Sequence, residues 1–297
     1  MKKVLLTGAS GFIGSHCLSF LKKKGYEVFA LYRTRYLEEP KGIQWVQADL
    51  LNSGQVKHTV QTIRPTHLLH LAWDVTPGKC LTSSENLDWI KAGLTLMEAF
   101  SNSSGRRLVM AGTCYEYDLT NGFVSEEITP LKPHTLYGGA KLSLNIALES
   151  FAKQMGLSAA WGRIFFLYGP NECSQRFVPS VIKGLLKKQT VPCTHCNQIR
   201  DYMYVEDVAE AMVELLDSSI EGSINIASGK GISLRTIIEN IEDQLQVKGL
   251  VQYGALKANA SEPSQLIGSK KRLNDELKWQ PRWNLREGVA KTIEWWQ

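Results

Sequence analysis

No apolar run in this 297-residue chain approaches the roughly 18–20 residues that a helix needs to cross a bilayer. Its first residues lead straight into Val4-Leu5-Leu6 without the apolar h-region of an export signal, so a cytoplasmic protein with no membrane partner is expected. Cysteine is sparse: the six residues (17, 80, 114, 173, 193 and 196) form no disulfide framework. Cys193-Thr194-His195-Cys196 carries two thiols and an imidazole. No second Cys-x-x-Cys or histidine pair completes a four-ligand set, so no metal is expected. Charge of one sign is also scarce. The net charge is +5, and the densest basic run, Lys22-Lys23-Lys24, falls where a helix would end and complements its dipole. That excludes a nucleic-acid patch as the leading reading. No internal repeat or low-complexity segment is visible.

What is present is the composition of an ordinary globular protein, with 43% hydrophobic and 21% charged residues. The length suits one large domain or two interlocked ones. Apolar runs at Lys3–Leu6, Glu27–Tyr32, Gln44–Gln47, His67–Leu71, Arg107–Ala111 and Ser158–Arg163 read as buried strands. Amphipathic stretches at Phe12–Lys24, Gly54–Ile63, Glu85–Asn102 and Leu136–Met155 lie between them. This alternation predicts an α/β fold of the Rossmann type, a doubly wound parallel sheet covered on both faces, with ligands at the carboxyl ends of its strands. After Gly169-Pro170 the pattern loosens. Helices are predicted over Phe177–Lys188, Val205–Leu216, Ser233–Leu245 (behind a serine N-cap) and Leu285–Trp296, with a strand at Ser223–Ile226.

The first strand runs into Thr7-Gly8-Ala9-Ser10-Gly11-Phe12-Ile13-Gly14 and then a helix. Strand, glycine turn, helix is the setting in which a glycine pattern becomes a dinucleotide site. Gly8 permits the tight turn, Gly11 lets backbone approach a pyrophosphate, and Gly14 lets helix and strand pack closely. The helix N-terminus offers free N–H groups to phosphate. At the end of the second strand, where an acid normally takes the ribose hydroxyls of NAD, this chain has Tyr32 and Arg33, with Arg35 close behind. An arginine there can bind a 2′-phosphate and stack on adenine, so NADP(H) is expected, with NAD(H) as the alternative.

Tyr137 and Lys141 are four apart on a predicted helix and share a face. The ammonium can lower the phenol's pKa and let it trade protons near neutrality. Thr113, 24 positions earlier, could hold a carbonyl or alcohol oxygen in line with that phenol. Together they are acid–base equipment for carbonyl/alcohol redox chemistry. Cys114 has no thiolate-activating base in sight and reads as a pocket wall. Among the large aromatics, only Trp73 and Tyr115 adjoin site motifs.

The G-x-x-G-x-x-G spacing together with Tyr137 and Lys141 resembles the extended branch of the short-chain dehydrogenase/reductase family, of the epimerase/dehydratase type. Further landmarks occur in the family's order. Asp49-Leu50 is similar to the segment at the adenine, and His70-Leu71-Ala72-Trp73 to the strand end that lines the cofactor. Arg163-Ile164-Phe165-Phe166-Leu167-Tyr168-Gly169-Pro170 resembles the sixth-strand exit, and Arg200–Val208 the segment returning from the substrate side. The resemblance implies a dinucleotide-binding domain over 1–165, with returning segments near 204–226, and a smaller, discontinuous substrate-binding lobe over 166–297. It also implies Tyr137 as acid/base, Lys141 tuning it and holding the ribose, Thr113 orienting the substrate oxygen, and Phe165 beside the cofactor. The substrate residues it implies are Trp73, Cys114, Tyr115, Phe166, Phe177 and Arg200, the last facing a diphosphate. A homodimer through the helices at 85–102 and 136–155 is expected.

Three departures bear on the reaction. Where related dehydratases carry an acidic pair after the Ser/Thr, this chain has Cys114-Tyr115, and Glu116 comes two places late. Phe166 stands where relatives have asparagine. Around residues 258–262 the second phosphate arginine of many relatives is missing, although Lys257 is near. The stretch Gly112–Asp118 and the segment Tyr253–Leu256 resemble 4-ketoreductases that make deoxysugars. The expected activity is therefore NADPH-dependent reduction of a nucleotide-linked 4-keto-deoxysugar. A redox-neutral epimerase or dehydratase that keeps its cofactor, a reductase of a small carbonyl, and a catalytically silent scaffold remain as alternatives.

Overall fold

The computed structural model describes residues 2–37, 40–103, 105–259 and 262–297. Strands β1 (Lys3–Thr7), β2 (Glu27–Tyr32), β3 (Gln44–Gln47), β4 (His67–His70) and β5 (Arg107–Thr113) join Ser158–Ile164 and Gly222–Ile226 in one seven-stranded sheet. Its order is Gly222–Ile226, Ser158–Ile164, β5, β4, β1, β2, β3, with every neighbouring pair parallel. The chain winds outward in both directions from β1. The crevice between the carboxyl ends of β1 and β4 is therefore the topological switch point. Thr7 lies opposite His70 there, and Thr113 opposite Ile164.

Buried on both faces, the central strands need no polar alternation. Val4, Leu5 and Leu6 are wholly buried, as are Leu108, Val109 and Met110. One face is covered by α1 (Phe12–Lys23), which packs Cys17, Leu18 and Leu21 against the apolar side of the helix at Val205–Asp217. The other carries α2 (Ser53–Ile63), α3 (Glu85–Ser101) and α4 (Leu136–Met155) in sequence, through Val56, Leu96, Phe100, Leu144 and Leu148. Local chemistry sets the helix ends. Asn52 accepts from Gln55 N at 3.1 Å, Thr135 accepts from Gly138 N at 3.1 Å, and α4 stops at Gly156 in the left-handed region. Ser233 caps the helix at Leu234–Leu245 by accepting from Thr236 N at 3.0 Å.

The third group of helices, Phe177–Leu186, Leu234–Leu245 and Leu285–Trp296, buries its own apolar cluster of Val181, Ile182, Leu185, Ile237, Ile238, Ile241, Val289 and Ile293. Between this cluster and the main sheet lie short strands: Ile199–Arg200 beside Gln265–Gly268, and Tyr202–Tyr204 beside Phe166–Tyr168. Element ends differ from the sequence reading by one or two residues, and one difference matters. β5 continues two residues past Ala111, so Thr113 is the last residue of a strand, held by its ladder. Among the described residues, no helix is long and apolar enough to cross a membrane.

Candidate active site

The glycine turn sits at the switch point. Gly8 has φ +71°, and an added Cβ would stand 2.8 Å from Ala72 N, so only glycine fits between β1 and the exit of β4. A Cβ on Gly14 would overlap Gly8 O, because α1 starts hard against the turn. Thr7 ties the two strand ends together: its hydroxyl lies 2.7 Å from His70 Nδ1 and accepts from Ala72 N at 3.3 Å. Beyond this turn opens a cavity of about 420 Å³. Gly8, Ser10, Gly11, Tyr32, Arg33, Asp49, Leu50, Ala72 and Trp73 line it, joined by Asp74, Thr76, Glu85 and Trp89. A second cavity adjoins it, lined by Ser10, Arg33, Thr34, Arg35, Leu37 and Asn171. Among the residues lining this second cavity, the charged ones are both arginines. That suits an anionic group, and the larger cavity has the size of a small-molecule site. Phe12, Ile13 and Gly14 belong to the first turn of α1, and Leu71 lies against the apolar core beside them.

The catalytic candidates meet at the end of β5. Thr113 is buried, and α4 brings Tyr137 to it, so that a side-chain hydrogen bond from Thr113 works to lower the phenol's pKa. Burial acts the other way and dominates, holding Tyr137 well above the usual phenol range. The half-buried Tyr137 ring is flanked edge-on by Trp73 and Tyr115, each with centroids 6.3 Å away. Lys141 differs from the sequence expectation. Its ammonium does not rest on the phenol but donates to Ala111 O at 2.8 Å and lies 3.9 Å from the centre of the Trp73 ring. Its pKa is lowered to about 7 by burial, with Glu116 pulling upward from a distance.

Behind Thr113 lies a polar anchor that the sequence did not reveal. Glu116 is fully buried, faces away from the cavity, and accepts from Thr113 N at 2.8 Å, Trp161 Nε1 at 2.9 Å and Arg163 Nε at 2.7 Å. Arg163 also donates to the Tyr117 hydroxyl at 3.2 Å, which in turn donates to Asn225 Oδ1 at 2.7 Å. A Cβ on Gly112 would overlap Trp161 Nε1, so glycine there lets the network close under the strand. Burial pushes Glu116 upward against Arg163. The late position of this glutamate is thus explained: it fixes the Thr113 backbone from behind. Cys114 is buried with Tyr117 and Phe165, and burial pushes its thiol up to about 12, so it packs and does not react. Phe165 lies in that same cluster, behind the cavity wall.

On the opposite side Arg200 is buried, with its guanidinium 5.6 Å from the centre of the half-buried Phe166 ring. Tyr202 packs on Phe166 at 5.5 Å, and Phe177 opens the helix that follows. Arg200 is already engaged, 3.5 Å from the Glu262 carboxylate. Of the segment in which a second phosphate arginine was sought, Ala260 and Ser261 lie outside the described residues. Arg176 and Glu172 also belong to this side. The two interact, Glu172 is buried with one carboxylate oxygen unpartnered, and burial pushes its pKa up to about 8. Neither carried a sequence signal, since each depends on how the loop after Gly169 folds back. Trp89 could have been found: it falls one turn after Glu85 on α3, and both line the cavity. Cys193 and Cys196 are buried in the third apolar cluster. Among the described residues, no group of three or more His, Cys, Asp or Glu could hold a metal ion.

The chain has relatives along nearly its whole length. Over 297 aligned residues the chain is 24% identical to CDP-abequose synthase of Salmonella muenchen, covering 98% of this chain and 97% of that protein. It is 27% identical to UDP-glucuronate 4-epimerase of Thermodesulfobacterium geofontis, covering 98% and 95%. The solved structure of Thermus thermophilus UDP-glucose 4-epimerase in complex with NAD superposes with a TM-score of 0.85 at 27% identity, over 99% of this chain and 98% of that one. Residues 4–227 match the model of the NAD dependent epimerase/dehydratase family. The chain is an enzyme of that family, built as an extended short-chain dehydrogenase/reductase.

Proposed function

We propose that the protein reduces a nucleotide-linked 4-keto-deoxysugar with NADPH. The observation that carries this reading is the state of the segment after Thr113. Glu116 is locked under the strand by Arg163, and Cys114 is buried as a neutral thiol. Neither supplies the acid that eliminates water, and the proton-bearing group hydrogen-bonded to the Thr113 side chain is Tyr137. The similarity to CDP-abequose synthase along nearly the whole chain points the same way.

The residues fit a nicotinamide dinucleotide. The turn that only glycine can make would take its pyrophosphate, Asp49 and Leu50 would face the adenine, and Arg33 with Arg35 and Asn171 would take a 2′-phosphate. When bound, the cofactor supplies a hydride to the ketone carbon. Thr113 donates to the substrate oxygen and holds it toward Tyr137. Tyr137 gives its proton to that oxygen as it becomes an alkoxide; burial keeps the phenol protonated until then, and the Thr113 hydrogen bond works against burial to ease the transfer. Lys141 keeps positive charge beside the phenolate that this leaves. Arg200 takes the substrate's phosphate in exchange for Glu262. In this division of labour residues 1–165, with the returns near 204–226, carry the cofactor, and 166–297 mainly carry the substrate. Exposed Leu87 and Leu94 on α3 and Ile146 on α4 support a homodimer through those helices.

The test is NADPH absorbance with a panel of UDP-, CDP-, dTDP- and GDP-4-keto-6-deoxysugars. One of them should oxidise NADPH, and Tyr137→Phe should slow that reaction by about 10²–10⁴-fold. The competing reading, a redox-neutral epimerase, is favoured by the UDP-glucuronate 4-epimerase match. It predicts tightly held, unexchanged NAD(P) and no absorbance change with any of the panel.

A further inference from the structure

Trp73 follows β4 directly, and four contacts fix its indole. The ring N–H donates to Asn86 Oδ1 at 2.8 Å, and Asn86 is itself buried, with its amide on the carbonyls of Cys80 and Ser83 at 2.7 and 2.8 Å. The ring stacks on Trp89 with centroids 5.9 Å apart and planes at 26°. Its edge meets Tyr137, and its face carries the Lys141 ammonium 3.9 Å from the centroid. Trp73 also lines the cofactor cavity, whose wall includes none of Thr113, Tyr137 and Lys141. The indole is thus the partition between that cavity and the catalytic candidates, and it touches both sides.

Lys141 is 3% exposed. Among the described residues no carboxylate comes within ion-pair distance of it, and its hydrogen bond goes to a neutral carbonyl. An ammonium taken out of water without an ion pair tends to lose its proton. The groups that face it are few, and a second ring, Trp161, lies farther off with its centre at 6.0 Å. Glu116, from the turn after β5, favours the charge at a distance. His70, at the end of β4, is itself held neutral by burial and by the lysine, with a pKa lowered to about 3. Tyr137 lies one turn earlier on the same helix. The negative face of an aromatic ring attracts a desolvated cation strongly, and tryptophan does so best.

We propose that Trp73 is a positioning residue for Lys141, the face of its indole keeping the ammonium charged and in place beside Tyr137. Trp73 thereby sets the upper pH limit of catalysis through Lys141 and neither gives nor takes a proton or hydride itself. This rests on the reading of Lys141 as part of the catalytic set. The experiment is chosen to stand without turnover.

Lysine 13Cε NMR of the full chain, with Lys141 assigned by Lys141→Arg, gives the titration midpoint of that side chain directly. Trp73→Leu keeps an apolar filler but no ring face, and should lower the midpoint by about one pH unit or more. Trp73→Phe keeps a weaker face and should lower it by less than half as much. In the active enzyme the basic limb of kcat should move down with it, variant by variant. A Lys141 midpoint unchanged in Trp73→Leu would overturn the proposal. Should that variant fail to fold, site-specific fluorotryptophan at 73 preserves shape while weakening the ring face. The midpoint should then fall with each added fluorine, and a constant midpoint would overturn the proposal equally. A chain that reduces none of the sugars would sink the proposed function and still leave the Lys141 titration readable.

Discussion

In the seven-stranded sheet, β1 and β5 run for five and seven residues and pair on both sides. The strands near the third apolar cluster, Ile199–Arg200 and Tyr202–Tyr204, last two and three residues. The first region satisfies its backbone through its own ladders and buries Val4, Leu5, Leu6, Leu108 and Val109 on both faces. The second pairs over shorter ladders, and buried carboxylates add bonds to the N–H groups of the loops around them. Asp201 accepts from Ser228 N at 2.8 Å, Ser228 Oγ at 2.6 Å, Gly229 N at 2.9 Å and Gly268 N at 3.2 Å. Asp207 accepts from Arg282 N at 3.0 Å and Trp283 N at 3.1 Å. Both regions bury apolar clusters, and around the short strands Asp201 and Asp207 pin the neighbouring loops in addition.

That contrast can be broken by paired substitutions. Leu5→Ala should cost about 2–5 kcal/mol as a cavity in the sheet, lowering amide protection across all its central strands. Asp201→Ala should cost about 3–4 kcal/mol by orphaning buried donors. Its loss of protection should be confined to the amides of Ser228, Gly229, Gly268 and their neighbours. Equal footprints in hydrogen exchange would mean that the two regions are not held differently.

The cofactor side gives the next effect. Arg33→Ala should weaken NADPH binding about 10–100-fold by removing a charge-assisted contact, and should change NADH binding by less than about threefold. Titration calorimetry reads both, and parallel losses would contradict a 2′-phosphate site at the second cavity.

The smallest effect belongs to Glu172. Its pKa in the folded protein, about 8, lies above the ordinary 4.5 because of burial, so the fold favours the protonated carboxyl. That contribution is complete below the ordinary value and is lost as pH rises through about 8. Glu172→Gln should therefore raise Tm by about 2 °C at pH 9 and leave it nearly unchanged at pH 5. A shift of the same size at both pH values would show that Glu172 is not held protonated.

The same contrast explains what could be read in the chain. The glycine turn, its strand and its helix are consecutive, so Gly8, Gly11 and Gly14 announce their setting locally. Tyr137 and Lys141 follow from spacing on one helix, whereas the strand read in the sequence stops at Ala111, two residues short of Thr113. The contact of Lys141 with Trp73 joins elements 68 positions apart and has no periodicity to betray it. The turning of Glu116 onto Arg163 was hidden for the same reason, as was the engagement of Arg200 by Glu262. Strands of two residues are too short to show alternation, so the region of short strands was legible only as a loosening of pattern after Gly169.

The most direct measurement is mass spectrometry of the sugar product formed with NADPH deuterated at the transferable position of the nicotinamide. Hydride transfer from a dissociable cofactor predicts one deuterium in each reduced sugar, in step with NADPH oxidised. A converted sugar free of deuterium, with the NADPH unspent, would contradict the account and assign the enzyme to a redox-neutral reaction.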